Sequence, residues 1–486
     1  MMSINDLVIR GGRVVSDTDV FEADVAVSDG RIVAVGPNLP AGKREIDASG
    51  QLVMPGGVDT HCHVEQLSGM GRMSADDWYS ASVSAAFGGT TTIVPFAAQH
   101  KGADLRQVAD DYAALAAAKS VIDYSYHLIV TGTDSKTLEQ DLPQLIKEGI
   151  TSFKIYMTYE QLKLDDYQIL DVLSVAAREQ ALVMVHAENN DVIRWISEKL
   201  LSSGHVAPHF HGVSHSHLAE SEATNRAIAL SRVLDVPILI VHVSAQDALT
   251  TIAAARRRGA PIYAETCPHY LTLTGDKMEK PDMEGAKYCC SPPLRDGQAQ
   301  EALWSALSDG VLQVVSSDHA PYTFDAKGKL PHGDKTTFAK VANGVPGIEA
   351  RLPLLFSEGV GKGRLSLPEF VALGITNHAR LYGMYPRKGV IAEGSDADIA
   401  IWNPDVEVVL STDMLHDRVG YTPYEGMVVK GWPQTVISAG DIIIENGTMY
   451  AQAGRGRFIA RGTPGPCTEE CAVSEQAQFL RTITKI

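Results

Sequence analysis

The sequence predicts an α/β protein in which a (β/α)8 TIM-like barrel is combined with a composite β-sandwich domain formed from both chain ends. Eight apolar, strand-like runs alternate with helical stretches across the middle of the 486-residue chain. Both ends instead show the apolar and polar alternation of short strands. An open doubly wound sheet is the alternative, but no G-x-G-x-x-G motif follows an early strand to support a dinucleotide site.

The barrel is predicted from the rhythm of the central residues. Runs of strand length are separated by stretches with helical spacing, such as "DLRQVADDYAALAAA" and "ATNRAIALSRVL". A barrel of this kind typically occupies about 250 residues before insertions, and the central region is long enough for it. The eight runs end near His63, Phe96, Val130, Met157, Ala187, Val243, Cys267 and Asp318.

The second domain is predicted from short strands at the two termini. "VAVSDGRIVAVG" indicates a hairpin closed at Asp29 and Gly30, and "DIIIENGTMY" contains a similar turn at Asn446 and Gly447. Neither end shows helical spacing, so we expect the two ends to assemble into one β-domain. The predicted parts are residues 1–57 with 386–460 for this domain, 58–385 for the barrel, and 461–486 for a C-terminal arm.

Composition excludes some classes of partner. The formal net charge of −17 argues against nucleic acid and against an anionic membrane, because both require a basic surface. No apolar run approaches the ~18–20 residues of a membrane span, and no signal peptide is visible. The six cysteines lack the spacing of a disulfide framework. We therefore expect a cytoplasmic protein that acts on a small molecule.

The strand ends carry a candidate metal site, and barrel enzymes build their active sites at the carboxyl ends of their strands. His61 and His63 are two residues apart, so both imidazoles leave an extended backbone on the same face. His186 follows the fifth run, His242 the sixth and Asp318 the eighth. Each residue alone is explained as well by core packing or helix capping. Together they predict a shared metal centre.

Four histidines and an aspartate exceed the needs of one tetrahedral zinc with an open position. They suit two divalent ions, with His61 and His63 on one and His186 and His242 on the other, and two close ions need a bridging anion. The fourth strand offers only Lys154, inside "SFKIYM". We expect its amine to take up CO2 and become a bridging carbamate. A lysine that reaches solvent or a salt bridge is the structural alternative.

Eight motifs follow one another in an order typical of one family: "PGGVDTHCH", "FGGTTTIV", "TSFKIYMTY", "VMVHAEN", "ILIVHVS", "EGAKYCCSPPLR", "VVSSDHAPY" and "NGVPGIE". In these motifs, and over essentially the whole chain, the sequence resembles the dihydropyrimidinase/D-hydantoinase family of cyclic amidohydrolases. The resemblance implies a barrel with a composite β-sandwich, a binuclear zinc centre bridged by a carboxylated lysine, and usually a homotetramer, with a homodimer as the smaller possibility.

The resemblance also assigns roles to individual residues. Tyr159 falls on the tyrosine that stabilises the oxyanion, whereas Ser291 and Asn343 fall on positions that hold the cyclic amide, largely through main-chain groups. In the expected reaction Asp318 is the general base, and the product is an N-carbamoyl amino acid. The metal ligands of the family fall on His61, His63, carboxylated Lys154, His186, His242 and Asp318.

The preferred ring stays open at this point. Glu65 stands where the dihydroorotase branch has an arginine for a substrate carboxylate, and we expect its charge to repel an anion. The loop "VEQLSGMGRMSADDW" mixes polar and apolar residues, so dihydrouracil, hydantoins, cyclic imides and an allantoinase-like ureide are all candidates. The family includes non-enzymatic neuronal relatives that have lost metal ligands. That role is disfavoured because all six ligand positions are filled.

Seven other histidines need an interpretation. We expect the five in "HVAPHFHGVSHSH" to lie in a loop and at helix caps rather than to form a metal-binding tract. The remaining two, His127 and His269, follow the third and seventh runs and are expected to pack in the core or behind the site. The five in the stretch are His205, His209, His211, His215 and His217.

Overall fold

The computed structural model describes residues 5–468 and 473–483, and its N-terminal part folds into five strands. The predicted hairpin is confirmed: Ser28 pairs with Arg31, and the intervening Asp29 and Gly30 have φ values of 51° and 72°. Two positive φ values give the turn that matches the twist of paired strands. The strands are β1 (Asn5–Val15), β2 (Val20–Ser28), β3 (Arg31–Gly36), β4 (Gly42–Asp47) and β5 (Leu52–Pro55).

The barrel follows, with eight parallel strand positions, of which the second and third are each split in two. They are formed by β6 (Gly57–Asp59), β7 (Thr90–Ile93) with β8 (Phe96–Ala98), β9 (Asp123–Tyr124) with β10 (His127–Ile129), β11 (Ser152–Tyr156), β12 (Leu182–His186), β13 (Ile238–Ile240), β14 (Ile262–Thr266) and β15 (Val314–Val315). A parallel bridge between Cys62 and His319 closes the ring. All eight predicted runs are therefore strands of one barrel, and the open doubly wound sheet is excluded.

Helices connect these strands and cover the outside of the barrel. The segment predicted as helical after the second strand is α2, and α4 begins with a capping box between Asp165 and Gln168. The helices are α1 (Trp78–Phe87), α2 (Leu105–Lys119), α3 (Leu142–Lys147), α4 (Asp166–Glu179), α5 (Asn190–Ser202), α6 (Phe210–Ser214), α7 (His217–Leu234), α8 (Gln246–Arg257), α9 (Pro268–Thr272), α10 (Gly297–Ser308), α11 (Arg351–Leu355), α12 (Leu367–Val371), α13 (Asn377–Leu381), α14 (Gly465–Thr468) and α15 (Glu475–Ile483).

The last four strands join the sheet begun by the N-terminus. They are β16 (Ile399–Val409), β17 (Val428–Ser438), β18 (Asp441–Glu445) and β19 (Thr448–Met449). β16 pairs antiparallel with β5, with Ile399 opposite Pro55. The second predicted turn is confirmed at Asn446 and Gly447, which connect β18 to β19. The resulting order is β19-β18-β17-β16-β5-β1-β2-β3, with β4 beside β1.

This mixed sheet has a small apolar core of its own, separate from the core of the barrel. Ile9 and Val25 from the N-terminal strands pack with Ile399 and Ile437 from the C-terminal strands. Both chain ends are therefore needed to bury the same apolar surface, which explains why strands so distant in sequence share one sheet. The predicted bounds of the three parts, at residues 57/58, 385/386 and 460/461, stay predictions.

A buried charge cluster joins the barrel to the mixed sheet. The Lys388 ammonium donates to Asp123, at the start of β9, at 2.6 Å and to Asp398, just before β16, at 2.5 Å. Arg457 donates to the same Asp123 carboxylate at 2.7 Å. Buried charges need close partners. These residues therefore tie the second domain to the end of the barrel where the strands begin, opposite their carboxyl ends.

The C-terminal arm packs on the outside of the barrel. Ser474 donates through both its backbone N–H and its hydroxyl to Asp235, and the Arg481 guanidinium donates to the Leu234 carbonyl oxygen. Residues 469–472, which include Cys471, and residues 484–486 lie outside the described part of the chain. Within the described ranges, each helix is too short or too polar to cross a bilayer.

Candidate metal centre and substrate pocket

The six side chains predicted as metal ligands lie on the carboxyl-terminal side of the barrel. Since parallel strands all end on one side, residues far apart in sequence meet there. Apart from His63, which is partly exposed, these side chains are buried. His61 and His63 follow β6, Lys154 lies in β11, His186 ends β12, His242 follows β13 and Asp318 follows β15.

His61 is at the centre of this group. Its Nε2 lies 2.7 Å from Nζ of Lys154 and 3.1 Å from Oδ1 of Asp318. The same aspartate oxygen lies 3.3 Å from Nε2 of His63. The ring of His242 is 5.4 Å from the ring of His61, measured between centroids. The predicted site residues therefore form one continuous cluster.

His186 and His242 complete the cluster on its other side. Nε2 of His242 lies 2.9 Å from Nδ1 of His186. Burial lowers the pKa of both imidazoles, so both rings are neutral at pH 7. The pKa of Asp318 is held well below its ordinary value, since the neighbouring His61 and His63 outweigh the opposing effect of burial. Neutral imidazoles and an ionised carboxylate are the forms that bind metal ions.

Three acceptors that we did not predict orient these imidazoles. His61 Nδ1 donates to Glu265 at 2.5 Å, His63 Nδ1 donates to Gln66 at 2.8 Å, and His186 Nε2 donates to Glu188 at 2.8 Å. In each ring the other nitrogen keeps its lone pair and faces the cluster. Such partners fix the tautomer of metal-binding histidines. For two of the three acceptors the sequence held a signal, since Glu188 and Gln66 lie within three residues of their histidines.

The donor set fits divalent metal ions of the zinc type. Four imidazoles and a carboxylate face one buried space, and this combination suits zinc and similar ions. Nε2 of His242 and Nδ1 of His186 face each other at 2.9 Å, close enough for one metal ion to bind both nitrogens. One potential ligand atom from each of His61, His242 and Asp318 lies within 4.8 Å of the other two.

Lys154 is buried without a counter-ion. Within the described residues its ammonium forms no ion pair, and it lies instead 4.6 Å from the centroid of the Phe96 ring. Burial lowers its pKa from the ordinary 10.5 to about 8. About one tenth of the side chain is therefore a neutral amine at pH 7, far more than for an ordinary lysine. A neutral amine is the form that reacts with CO2.

Three predicted site residues have left-handed backbones, namely Tyr159 with φ of 66°, His242 with 42° and Asp318 with 45°. Residues other than glycine seldom adopt such φ values, and this type of strain clusters at functional sites. All three residues line the same pocket.

This pocket has a volume of about 70 Å³ and opens onto the histidine cluster. Gln66, Ser68 and Tyr322 give its wall a polar part, whereas Met70 and Leu162 are apolar. A second cavity of about 230 Å³ adjoins it and shares Met70, Tyr159 and Asn343 as lining residues. The first volume suits a small ring, and the second offers room for a group attached to that ring.

Tyr159, Ser291 and Asn343, to which the resemblance assigned roles toward the substrate, all line the first pocket. Asn343 Nδ2 donates to the Tyr159 hydroxyl oxygen at 3.2 Å, which leaves the phenolic proton free to point elsewhere. Burial raises the pKa of Tyr159, so the hydroxyl stays protonated. The Ser291 hydroxyl donates to Glu188 at 2.6 Å.

Glu65 does not line either cavity, contrary to our expectation. Its side chain accepts the Trp78 N–H at 3.3 Å and forms an ion pair with Lys119. The pocket receives the neighbouring Gln66 instead. The expectation that Glu65 repels an anionic substrate is therefore wrong, because its charge is neutralised and directed away from the site.

The histidine-rich stretch lies in the loop, α6 and the start of α7, as predicted. Two of its members, however, turn inward and contact the site region, which we did not anticipate. His211 Nε2 donates to the Cys290 carbonyl oxygen at 2.7 Å, and His215 Nδ1 donates to Glu188 at 2.8 Å. Burial lowers the pKa of His211 to about 3, so this donor is a neutral imidazole. The stretch therefore supports the site rather than forming a separate metal tract.

The other two histidines are buried, as expected. His127 Nε2 donates to the Thr60 carbonyl oxygen at 3.0 Å, directly before the predicted ligand His61. His269 lies beside Asp318 and Cys267. Neither of its ring nitrogens has a hydrogen-bond partner among the residues that the structure describes.

The fold and the site together define a class: a barrel protein with a metal-type cluster of histidines and a carboxylate at the strand ends, the architecture of a metal-dependent hydrolase. The chain belongs to the amidohydrolase family, whose family model matches residues 52–443. This confirms the resemblance seen in the sequence.

Relatives show where in the family the chain falls. It is 42% identical to a D-hydantoinase of Ralstonia pickettii over 457 residues, which are 94% of this chain and 99% of the relative. A crystal structure of dihydropyrimidinase from Brevibacillus agri is 43% identical, superimposes with a TM-score of 0.91, and covers 94% of this chain and 98% of that one. An L-hydantoinase from Arthrobacter aurescens is 28% identical with a TM-score of 0.85, covering 94% and 100%.

Proposed function

We propose that the protein is a cyclic amidohydrolase that opens the ring of 5,6-dihydropyrimidines and 5-substituted hydantoins to give N-carbamoyl amino acids. The observation that carries this proposal is the convergence of four imidazoles, Asp318 and Lys154 at the floor of a small pocket whose wall holds Tyr159. The relatives named as hydantoinases and dihydropyrimidinases support the same reaction class.

Two zinc ions are the cofactors we assign to this cluster. His61 and His63 would hold one ion, His186 and His242 the other, and carboxylated Lys154 would bridge them, with Asp318 as the sixth ligand. When bound, two such ions acidify a water molecule and polarise the carbonyl of the scissile amide. The lowered pKa of Lys154 supports the carboxylation, because it increases the fraction of reactive amine.

Asp318 is the proton carrier of the proposed reaction. Its carboxylate is ionised, since its pKa lies well below the ordinary value, and it is buried beside the pocket. It would accept the proton of the attacking water and hand it to the departing ring nitrogen.

Tyr159 is the proposed donor to the oxyanion. Asn343 donates to its hydroxyl oxygen, so the phenolic proton stays available for a bound substrate. A donor of this kind typically lowers the barrier by about 2.7–4 kcal/mol. Main-chain groups of Ser291 and Asn343 would hold the cyclic amide, consistent with the Ser291 hydroxyl being engaged by Glu188.

A ureide or cyclic imide hydrolase is the second candidate. The polar side chains of Gln66, Ser68 and Tyr322 favour it, because they offer hydrogen bonds to a polar group on the ring. A purely non-enzymatic role is disfavoured by the complete set of six candidate ligands.

We also propose a homotetramer in the cytoplasm. The oligomer is supported by α5, which has no buried residue and leaves Trp195 63% exposed, an unusual exposure for a large apolar side chain. The cytoplasm is supported by Cys62, Cys267, Cys289 and Cys290, which are buried free thiols. Light scattering after size exclusion measures the oligomer directly; a monomer at micromolar concentration would contradict this part of the proposal.

The test of the proposed function is a substrate panel on zinc-loaded enzyme with bicarbonate present. The panel contains dihydrouracil, 5-substituted hydantoins, allantoin and succinimide, with ring opening followed by absorbance and the product by chiral chromatography. We expect turnover of dihydrouracil or a hydantoin to an N-carbamoyl amino acid. Exclusive turnover of allantoin or succinimide would favour the second candidate, and no ring opening at all would contradict both.

A further inference from the structure

The segment Cys289–Ser291 is held at three consecutive residues by buried side chains. Lys329 Nζ donates to the Cys289 carbonyl oxygen at 2.8 Å, and His211 Nε2 donates to the Cys290 carbonyl oxygen at 2.7 Å. The Ser291 hydroxyl is held by Glu188 at 2.6 Å (residue Glu188 also accepts from His186). The main chain of this segment therefore has little freedom to move.

Lys329 also connects this segment to the one that contains Asn343. Its Nζ donates to the Gly344 carbonyl oxygen at 2.5 Å, and the Gly344 N–H donates to the Cys289 carbonyl oxygen at 3.0 Å. Cys289 and Gly344 thus share two links, one from the backbone and one through the ammonium of Lys329. These two segments contain Ser291 and Asn343, the residues expected to hold the cyclic amide.

Burying the Lys329 ammonium costs free energy, which indicates that its charge has a structural role. Lys329 is 0% exposed, and within the described residues it forms no ion pair with a carboxylate. Burying an unpaired charge is expensive, and an apolar side chain of similar length would fill the space without that cost. An ammonium, unlike an apolar group, bonds several carbonyl oxygens at a fixed distance.

We propose that Lys329, assisted by His211, is a positioning residue that fixes the two main-chain segments carrying Ser291 and Asn343 for recognition of the cyclic amide. The inference rests on the proposed function, since it takes these segments as the ring-binding groups. Neither side chain lies on the reacting atoms: Lys329 lines neither cavity, and His211 lines only the second. Their effect is therefore on binding of the ring, not on the metal centre or the proton carrier.

The experiment compares Lys329→Met with the wild type on the best substrate of the panel. We expect KM to rise roughly tenfold or more with kcat changed far less, the pattern of an interaction lost equally from ground and transition states. Zinc content should stay at the wild-type value. His211→Phe removes the donor to Cys290 while leaving Lys329 in place, and we expect the same pattern with a smaller rise.

The matched control is Lys388→Met, which also removes a fully buried lysine, but one that is ion-paired and lies at the barrel–sheet joint. It should lower the melting temperature without raising KM. If Lys329→Met does not fold, the KM values of Lys329→Gln and His211→Phe test the inference instead. Unchanged KM in every folded variant of Lys329 and His211, with wild-type turnover intact, would overturn the inference; absence of wild-type turnover would instead contradict the proposed function.

Discussion

Lys154 and His61 meet on the carboxyl-terminal side of the barrel, with Nζ of the lysine 2.7 Å from Nε2 of the histidine. Glu265 accepts the proton on the other nitrogen of His61, so the nitrogen that faces Lys154 carries a lone pair. A buried ammonium gains little from a neighbourhood of imidazoles. A carbamate on the same nitrogen would supply the negative charge that metal ions held by these imidazoles require.

Replacing Tyr159 with phenylalanine tests the oxyanion role. Tyr159→Phe removes a single hydroxyl from the pocket wall, so we expect kcat to fall about 10²–10³-fold with zinc content unchanged. Steady-state kinetics and metal analysis measure the two effects. Tyr167→Phe serves as control, because Tyr167 is 76% exposed and should change neither value. A kcat within threefold of wild type in Tyr159→Phe would remove the residue from the mechanism.

Glu265→Gln tests whether the acceptor behind His61 tunes the metal site. Loss of the carboxylate weakens the bond that fixes the His61 tautomer, and we expect zinc affinity to fall about 10–100-fold. Competition with a fluorescent chelator measures this affinity. The matched control is Glu301→Gln, whose carboxylate pairs with Arg364 at the surface. Equal zinc affinity in both variants would show that Glu265 has only a packing role.

The pKa of Lys154 predicts how reactivation depends on pH. With a pKa lowered to about 8, the neutral amine rises from about one tenth of the population at pH 7 to about nine tenths at pH 9. At constant dissolved CO2, metal-free enzyme given zinc should therefore recover activity faster as the pH rises, with a plateau near pH 9. A recovery rate that keeps rising tenfold per pH unit would indicate that the pKa of Lys154 is not shifted. A recovery rate that does not change with pH would indicate that the amine has no role.

Asp123→Asn tests the joint between the barrel and the mixed sheet. Burial raises the pKa of Asp123, but Lys388 and Arg457 outweigh this effect and hold the pKa at about 2. Because the folded-state pKa is depressed, the stabilisation is complete above pH 4 and is lost as the pH falls toward 2. We expect the variant to lose about 3–5 kcal/mol at neutral pH. Urea unfolding at pH 7 and pH 3 checks this, and an equal loss at both values would contradict the ionic explanation.

The order of the barrel strands could be predicted from the sequence, and so could the meeting of the candidate ligands on one side of the barrel. His186 and Asp318, for example, lie at the ends of apolar runs, and the ends of parallel strands must share one side of the barrel. The sequence was insufficient for Glu265 and Lys329. Glu265 faces inward within a strand, and that orientation depends on the register of the whole barrel. Lys329 lies in a long irregular loop, where no periodicity indicates which side chains return to the core.

Glu65 and His211 show the same limit for loops. Their neighbours in sequence suggested that Glu65 faces the substrate and that His211 belongs to a surface tract. The structure pairs Glu65 with Lys119 and buries His211 against Cys290. Loop side chains are directed by turns such as the positive φ of 46° at Glu65, and the residue pattern alone does not encode that turn.

The most direct test of the account is the zinc content and activity of Lys154→Ala, measured with and without a short carboxylic acid such as propionate. The side chain lies in the cluster and forms no ion pair with the residues that the structure describes, so its loss should remove the bridging anion without breaking an ion pair. We expect zinc to be lost with nearly all activity, and both to return in part when the acid is added. Two bound zinc ions and full activity in the untreated variant would contradict the bridging role of Lys154.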